Sequence, residues 1–301
     1  MTTLTVQARA KINLTLDVFN KRSDGYHSLA SVVQAISLYD TLRLRAAPGS
    51  EISLTCEGEH AAGVPSDASN LVVKAARAVL DVAHCDMGLD IRLHKGIPSQ
   101  AGLGGGSSDA AAALIGVTSL FGLDIGPKLL HELASKLGSD VPFFLSGGTA
   151  IMRGRGENIC PVADAPTLWL VVVKPEESVS TAWAYGALDS IEDRSSNRAT
   201  KPLEEALKAG DLARVISGQS NDFELPVFRR FPRLAWLRDE LQMAGALTAH
   251  LCGSGSALYG IAGDEAQANK IANLLRGAYR NTYVARTLSR IESNPLREMT
   301  G

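Results

Sequence analysis

No apolar run in this sequence approaches the roughly 20 residues that a membrane-spanning helix needs. The opening stretch, MTTLTVQARAK, lacks the apolar centre of a secretion signal, so a cytoplasmic location is the expectation. A basic excess is missing too. Lys plus Arg number 30 and Asp plus Glu 32, for a net charge of −2. That balance offers no electrostatic footprint for nucleic acid. Cysteine is scarce: Cys56, Cys85, Cys160 and Cys252 are scattered, with no CxxC pair. Neither disulfides nor a zinc site is expected from them. Two familiar phosphate-loop signatures are also absent. There is no GxxxxGK[ST], which excludes a Walker A site, and Ser107 stands where GxGxxG would need glycine. No acidic residue ends a second strand to read a ribose, so a nicotinamide dehydrogenase is a weak alternative.

What is present is an ordinary globular composition, 45% hydrophobic and 21% charged over 301 residues. That length suits one large domain or two ordinary ones. Leu4, Val6, Ala8, Ala10, Ile12, Leu14, Leu16 and Val18 alternate strictly with Thr5, Gln7, Arg9, Lys11, Asn13, Thr15 and Asp17. Period two means strand, and the span predicts one that is bent or shared between two sheets. Further strands are expected over 29–46, 51–56 and 89–97. A helix after Ser69 or Asn70, an Ala-rich helix ending near Gly122, and a helix closed by Gly138 complete the first half. The stretch CPVADAP, with two prolines, marks a boundary between parts 1–160 and 161–301. TLWLVVVKP reads as a buried strand, followed by two or three helices between about 180 and 245. TAHLCGSGSALYGIA reads as two strands around a Gly/Ser turn, then comes a helix capped by Asp264, then a last strand. The order β, helices, β, β, α, β suits an α+β sandwich with helices on one sheet face.

The chemistry gathers in PSQAGLGGGSSDAAAA. Gly102, Gly104, Gly105 and Gly106 remove side chains where backbone must turn tightly or approach a ligand. Ser107 and Ser108 follow, just before the helix. Unpaired N–H groups and the partial positive charge of a helix N-terminus make such a loop a phosphate site. A phosphate-binding enzyme without a Walker lysine needs other groups to position and polarise its acceptor. Lys11, on the polar side of its strand, and Asp140, in LGSDVP, are the candidates. By themselves they also read as an exposed strand lysine and a turn aspartate. The stretch RSDGYHS places Tyr26 and His27 side by side in a polar turn, where neither has a core to join.

These motifs, in this order, resemble the GHMP kinases, named for galactokinase, homoserine kinase, mevalonate kinase and phosphomevalonate kinase. PSQAGLGGGSSDA and CGSGSALYG carry the general likeness. AKINLTLDV, DGYHSLASVVQAISLYD, LGSDVPFF and NDFE are similar to one branch of it, which phosphorylates the 2-hydroxyl of a CDP-linked methylerythritol in the non-mevalonate isoprenoid precursor pathway. The likeness runs nearly end to end. It implies an α+β, two-domain GHMP kinase fold, with an N-terminal ribosomal-protein-S5-like α/β domain and a C-terminal ferredoxin-like domain. ATP would lie with its phosphates on Pro98, Ser99, Gln100, Ala101, Gly102, Leu103, Gly104, Gly105, Gly106, Ser107 and Ser108. Asp140 falls on the family's catalytic aspartate and Lys11 on its catalytic lysine. Asn13, Tyr26 and His27 fall on substrate positions, Tyr26 to stack on cytosine and His27 to bond its edge. Thr181 and Tyr185 match a threonine and an aromatic four residues on, with Trp183 a near rival for the second stacking face. Ser99-Gln100-Ala101 departs from the small residues usual there, and Gln100 faces either nucleotide or solvent. Mg²⁺ is expected with ATP, but no carboxylate identifies itself as its ligand, which leaves Ser108 as a bare candidate. Two alternatives stay open: another GHMP small-molecule kinase, or a non-catalytic nucleotide-binding protein on the same fold.

Overall fold

The computed structural model describes residues 2–191 and 198–296. The first part begins with β1 (Thr3–Asn13), β2 (Thr15–Lys21), β3 (His27–Ala47) and β4 (Ile52–Glu57). Helix α1 (Leu71–Val82), β5 (Gly88–His94), α2 (Gly105–Leu120), α3 (Pro127–Leu137), α4 (Val141–Ser146), β6 (Thr149–Gly154) and β7 (Asn158–Pro161) follow. The predicted long strand is thus two, broken at Leu14, and both pair antiparallel with β3. At 21 residues β3 is the spine of the sheet. It also pairs with β6 over Leu29–Gln34 and with β5 over Thr41–Ala47. The bend lies where the β1 register slips between Arg9 and Ala10, so that Ser37 and Leu38 of β3 stand opposite no residue of the β1 ladder. Such bulges turn strands. Here Val6 and Ala8 pack under α1 and α2, while Ala10, Ile12 and Leu14 join a different core.

The second part runs β8 (Trp169–Val173), α5 (Thr181–Asp189), α6 (Thr200–Ala209), α7 (Leu212–Ser217), β9 (Ser220–Asn221), α8 (Glu224–Arg230) and α9 (Pro232–Met243). It ends with β10 (Thr248–Leu251), β11 (Leu258–Ala262), α10 (Glu265–Leu275) and β12 (Thr282–Arg286). The antiparallel order is β10-β11-β8-β12. Strand β8 shows why this sheet reads as uniformly apolar. Val171 and Val173 face α9 and α10, and Leu170 and Val172 face Ile12 and Leu103 of the first part. Both faces are covered, so period two has no polar phase. Among the described residues no helix is long and apolar enough to cross a membrane.

Several sequence expectations change here. The polar side of β1 and β2 is not solvent-facing: Lys11, Asn13, Thr15 and Asp17 are at most 6% exposed. The second part covers them. The Asp17 carboxylate accepts from the N–H groups of Ala199 and Thr200, both at 3.0 Å, at the start of α6. Among the described residues five helices, not two or three, lie between 181 and 243, because Pro232 and Gly210 divide what periodicity alone joins. Helix α2 begins at Gly105, so Ser107 and Ser108 sit inside its first turn rather than before it. The stretch after Asp140 forms a short helix, with Pro142 in its first turn where proline is tolerated. Gly138 closes α3 in extended rather than left-handed backbone. The four cysteines are free, as expected.

Candidate active site

Backbone geometry fixes the glycine loop first. Lys11 N–H donates to the Leu103 carbonyl at 2.9 Å, tying the loop to β1. Ala257 N–H donates to the Ala101 carbonyl at 3.1 Å, tying it to the second part. Gly102 has φ +78, and a Cβ there would stand 1.9 Å from the Cys252 carbonyl oxygen, so no other residue fits. Gln100 also adopts positive φ, at 52°, which costs about 1–2 kcal/mol in a residue with a Cβ. That explains why small residues, glycine above all, suit this place. Gln100 is exposed and borders the larger of the two cavities that meet at this loop.

Two cavities meet at this loop. The larger, about 410 Å³, is lined by Pro98 through Gly106 without a break, with Asn70, Lys95 and Asp109. Ser107 and Ser108 line neither cavity, and Ser108 is buried within α2. The smaller, about 180 Å³, holds Lys11, Asn13, Ser31, Asp140, Thr181, Tyr185, Gly253 and Ser254. Gly102 and Gly104 belong to both, so the loop is a shared wall with no side chain to block passage. A larger concavity of about 550 Å³ beside Leu225 and Phe228 shares no residue with either.

In the smaller cavity Lys11 Nζ lies 3.7 Å from the Asp140 carboxylate. Lys11 also donates to Asn13 Oδ1 at 2.8 Å, and Asn13 Nδ2 donates to Ser31 Oγ at 2.8 Å. The buried ammonium is therefore aimed, not free to wander. Asp140 is the residue that starts α4, yet its side chain makes no capping bond, which leaves the carboxylate facing the cavity. The loop Cys252–Ser256 closes the far side. Asn221 holds it by donating to the Leu251 and Gly253 carbonyls at 2.9 and 2.7 Å. Ser254 Oγ shares a hydrogen bond of 2.9 Å with Thr181 Oγ1. Burial pushes the Cys252 thiol up to about 12, against the opposing pull of Lys11, so it is inert.

The larger cavity has a charged floor. Lys95 Nζ donates to Asp109 at 2.6 Å and to Asp40, and all three are buried. Burial alone would push the Lys95 amine down, but the two carboxylates more than offset it and raise it. Burial, with Asp40 beside it, pushes the Asp109 carboxyl well above its usual range. Asp109 Oδ1 has no hydrogen-bond partner.

His27 and Tyr26 part company. His27 opens β3 and is buried, contrary to the reading of a polar turn. Its ring stacks on Tyr185 at 4.8 Å and 21°, and its Nε2 lies 2.7 Å from Asp189 Oδ1. The second part supplies these neighbours, which local sequence cannot show. Tyr26 stays 56% exposed, with the Arg155 guanidinium 5.0 Å over its ring. Tyr26 and Tyr185 make no ring contact. Tyr185 lines the smaller cavity, and burial and the nearby Asp140 charge push its phenol up to about 12. Trp183 instead turns its edge to Phe231 at 5.5 Å. Sequence reasoning assigned no role to Ser31, Lys95, Asp189, Asn221, Gly253 or Ser254. A second Gly/Ser turn between strands was the available signal for the last two.

The profile for the GHMP kinases N terminal domain matches residues 70–148, and that for GHMP kinases C terminal matches 203–281. A 4-diphosphocytidyl-2-C-methyl-D-erythritol kinase of Moorella thermoacetica is 43% identical over 96% of this chain and 100% of its own. The enzyme of that name from Pelotomaculum thermopropionicum is 41% identical over 95% and 98%. A crystal structure of 4-(cytidine 5'-diphospho)-2C-methyl-D-erythritol kinase matches with TM-score 0.81 and 35% identity, over 94% of this chain and 99% of that one. A homoserine kinase of Cytophaga hutchinsonii, at TM-score 0.74 and 20% identity, shares the fold. The two-part α+β architecture is thus the GHMP kinase arrangement, a family that uses ATP as co-substrate. With both family domains in order and this identity over nearly the whole of each chain, the protein belongs to the GHMP kinases, in the 4-diphosphocytidyl-2-C-methyl-D-erythritol kinase family.

Proposed function

We propose that this chain transfers the γ-phosphoryl group of ATP to the 2-hydroxyl of 4-diphosphocytidyl-2-C-methyl-D-erythritol, with Asp140 and Lys11 at the reacting atoms. The observation that carries the site assignment is the Lys11–Asp140 pair, 3.7 Å apart where the two cavities meet. The larger cavity receives ATP, its phosphates toward Gly104–Gly106 and the start of α2. The smaller receives the alcohol. A sugar-alcohol hydroxyl is a poor nucleophile at neutral pH. Asp140 accepts its proton as the hydroxyl oxygen bonds to the γ-phosphorus and the bond to the ADP oxygen breaks. Lys11 stabilises charge on the transferring group. Asn13 and Ser31 hold Lys11 in line. We place the division between the ATP-side part and the second part near residue 160.

Mg²⁺ typically takes one or two protein carboxylates and otherwise phosphate and water oxygens. The Asp140 carboxylate and the unpartnered Asp109 Oδ1 are donors of that kind, one in each cavity. Either would hold the ion, which supplies neutralisation of phosphate charge. The test is ATP consumption with the CDP-methylerythritol substrate, mevalonate, homoserine and galactose offered separately. Turnover with the cytidyl substrate alone is expected. Turnover with another alcohol, or with none, refutes the substrate or the activity.

A further inference from the structure

This inference rests on the cytidyl substrate proposed above, whose base we place at His27; what decides the hydrogen-bonding sense there is Asp189. The Asp189 carboxylate only accepts, so the His27 nitrogen 2.7 Å from it, Nε2, must carry the hydrogen. In the neutral ring Nδ1 is then left as a bare lone pair. Among the described residues Nδ1 has no hydrogen-bond partner, and it is not among the fully buried unpartnered side-chain atoms, so it keeps an accessible edge. We propose that Asp189 is a positioning residue for base specificity: by holding the hydrogen on Nε2 it makes His27 Nδ1 an obligate acceptor, which takes a pyrimidine bearing an amino donor and rejects one bearing a carbonyl there. Cytosine offers the 4-amino group at that edge, and uracil offers an oxygen.

Helix α5 explains the arrangement. Ser180 caps it, and Thr181, Tyr185 and Asp189 then recur every fourth residue on one face. Thr181 bonds Ser254 at the acceptor cavity, Tyr185 stacks on His27, and Asp189 bonds it. The eight steps from Thr181 to Asp189 span about 12 Å at 1.5 Å per residue. One helix face thereby links the acceptor end of the site to its base end. His27 comes from the first part of the chain and Asp189 from the second, so a plain tie between the parts is the competing account.

The experiment titrates CDP and UDP by calorimetry into the wild type, Asp189→Asn and His27→Ala. The Asn amide can donate to Nε2 or accept from it, so the ring is released to either tautomer. The wild type should favour CDP by about 5- to 150-fold, the range for one mismatched buried hydrogen bond. Asp189→Asn should lose most of that preference, chiefly by gaining UDP affinity. ¹⁵N spectra of His27 in its neutral form should shift from Nε2–H alone to a mixture. An unchanged CDP:UDP ratio with Nε2–H retained overturns the proposal, as does a lower melting temperature with no change in ratio. His27→Ala separates the two levels. If it leaves CDP affinity intact, the base-site reading itself falls. If it weakens CDP while Asp189→Asn keeps the ratio, only the role of Asp189 falls.

Discussion

Gly106 is a glycine whose presence the folded protein alone does not explain. It lies in the first turn of α2, its φ is not positive, and a Cβ there would meet nothing within 4 Å. Glycine in a helix is about 0.8–1.0 kcal/mol worse than alanine. Gly106→Ala should therefore raise stability by about that amount, or some 2–4 °C in melting temperature for a domain of this size. The open space is in the nucleotide-side cavity. If ATP phosphates come to rest there, the added methyl presses on them. Overpacking of about 1–3 kcal/mol would weaken ATP about 5- to 150-fold. Gly104→Ala is the contrast. Its φ is +73, and its Cβ would stand 2.7 Å from Phe144 Cζ and 3.1 Å from Lys11 Cγ. Left-handed strain of about 1–2 kcal/mol adds to that crowding, so this variant should lose stability as well as activity. Thermal melts and calorimetric titration of ATP on both variants read the two effects apart. A Gly106→Ala protein with unchanged ATP affinity refutes the placement of phosphates on this turn.

Asp140→Asn keeps the shape and the start of α4 but cannot take the proton; kcat should fall about 10²- to 10⁴-fold with ATP binding nearly intact, and a near-normal kcat removes Asp140 from the chemistry. Lys11→Met should lower kcat more than it raises KM. It should also cost about 1–3 kcal/mol of stability, because Asn13 Oδ1 loses its buried donor; steady-state kinetics and a denaturant midpoint check the two halves. Arg286, with the Ser289 backbone and hydroxyl, holds the Glu292 carboxyl down at about 2 from an ordinary 4.5. A depressed carboxylate adds stability that is present above 4.5 and lost as pH falls toward 2. Its solvent exposure keeps that contribution modest. Glu292→Gln should therefore melt lower at neutral pH and lose less on acidification, and parallel pH profiles for variant and wild type would contradict this.

Local sequence sufficed wherever one short stretch holds all the physical causes of its own structure. The period-two runs of β4 and β5, the unbroken apolar run of β8, the Asn70 and Asp264 caps, and the glycine turn into α2 depend on residues within a few positions of each other. The glycine loop was legible for the same reason, since its lack of side chains is itself the feature. Long-range covering was not legible. Nothing near Lys11 in the chain says that the Cys252–Ser256 loop stands against it, turning an apparently exposed polar face into the wall of a cavity. Nothing near Asp140 says that its carboxylate forgoes the cap and faces a lysine 129 positions earlier, 3.7 Å away. His27 looked like a surface residue because its neighbours, Tyr185 and Asp189, arrive from the other part of the chain. Residue types and turns are set by local chemistry. Which lone pair, ammonium or ring edge meets which is set by packing one sheet against another.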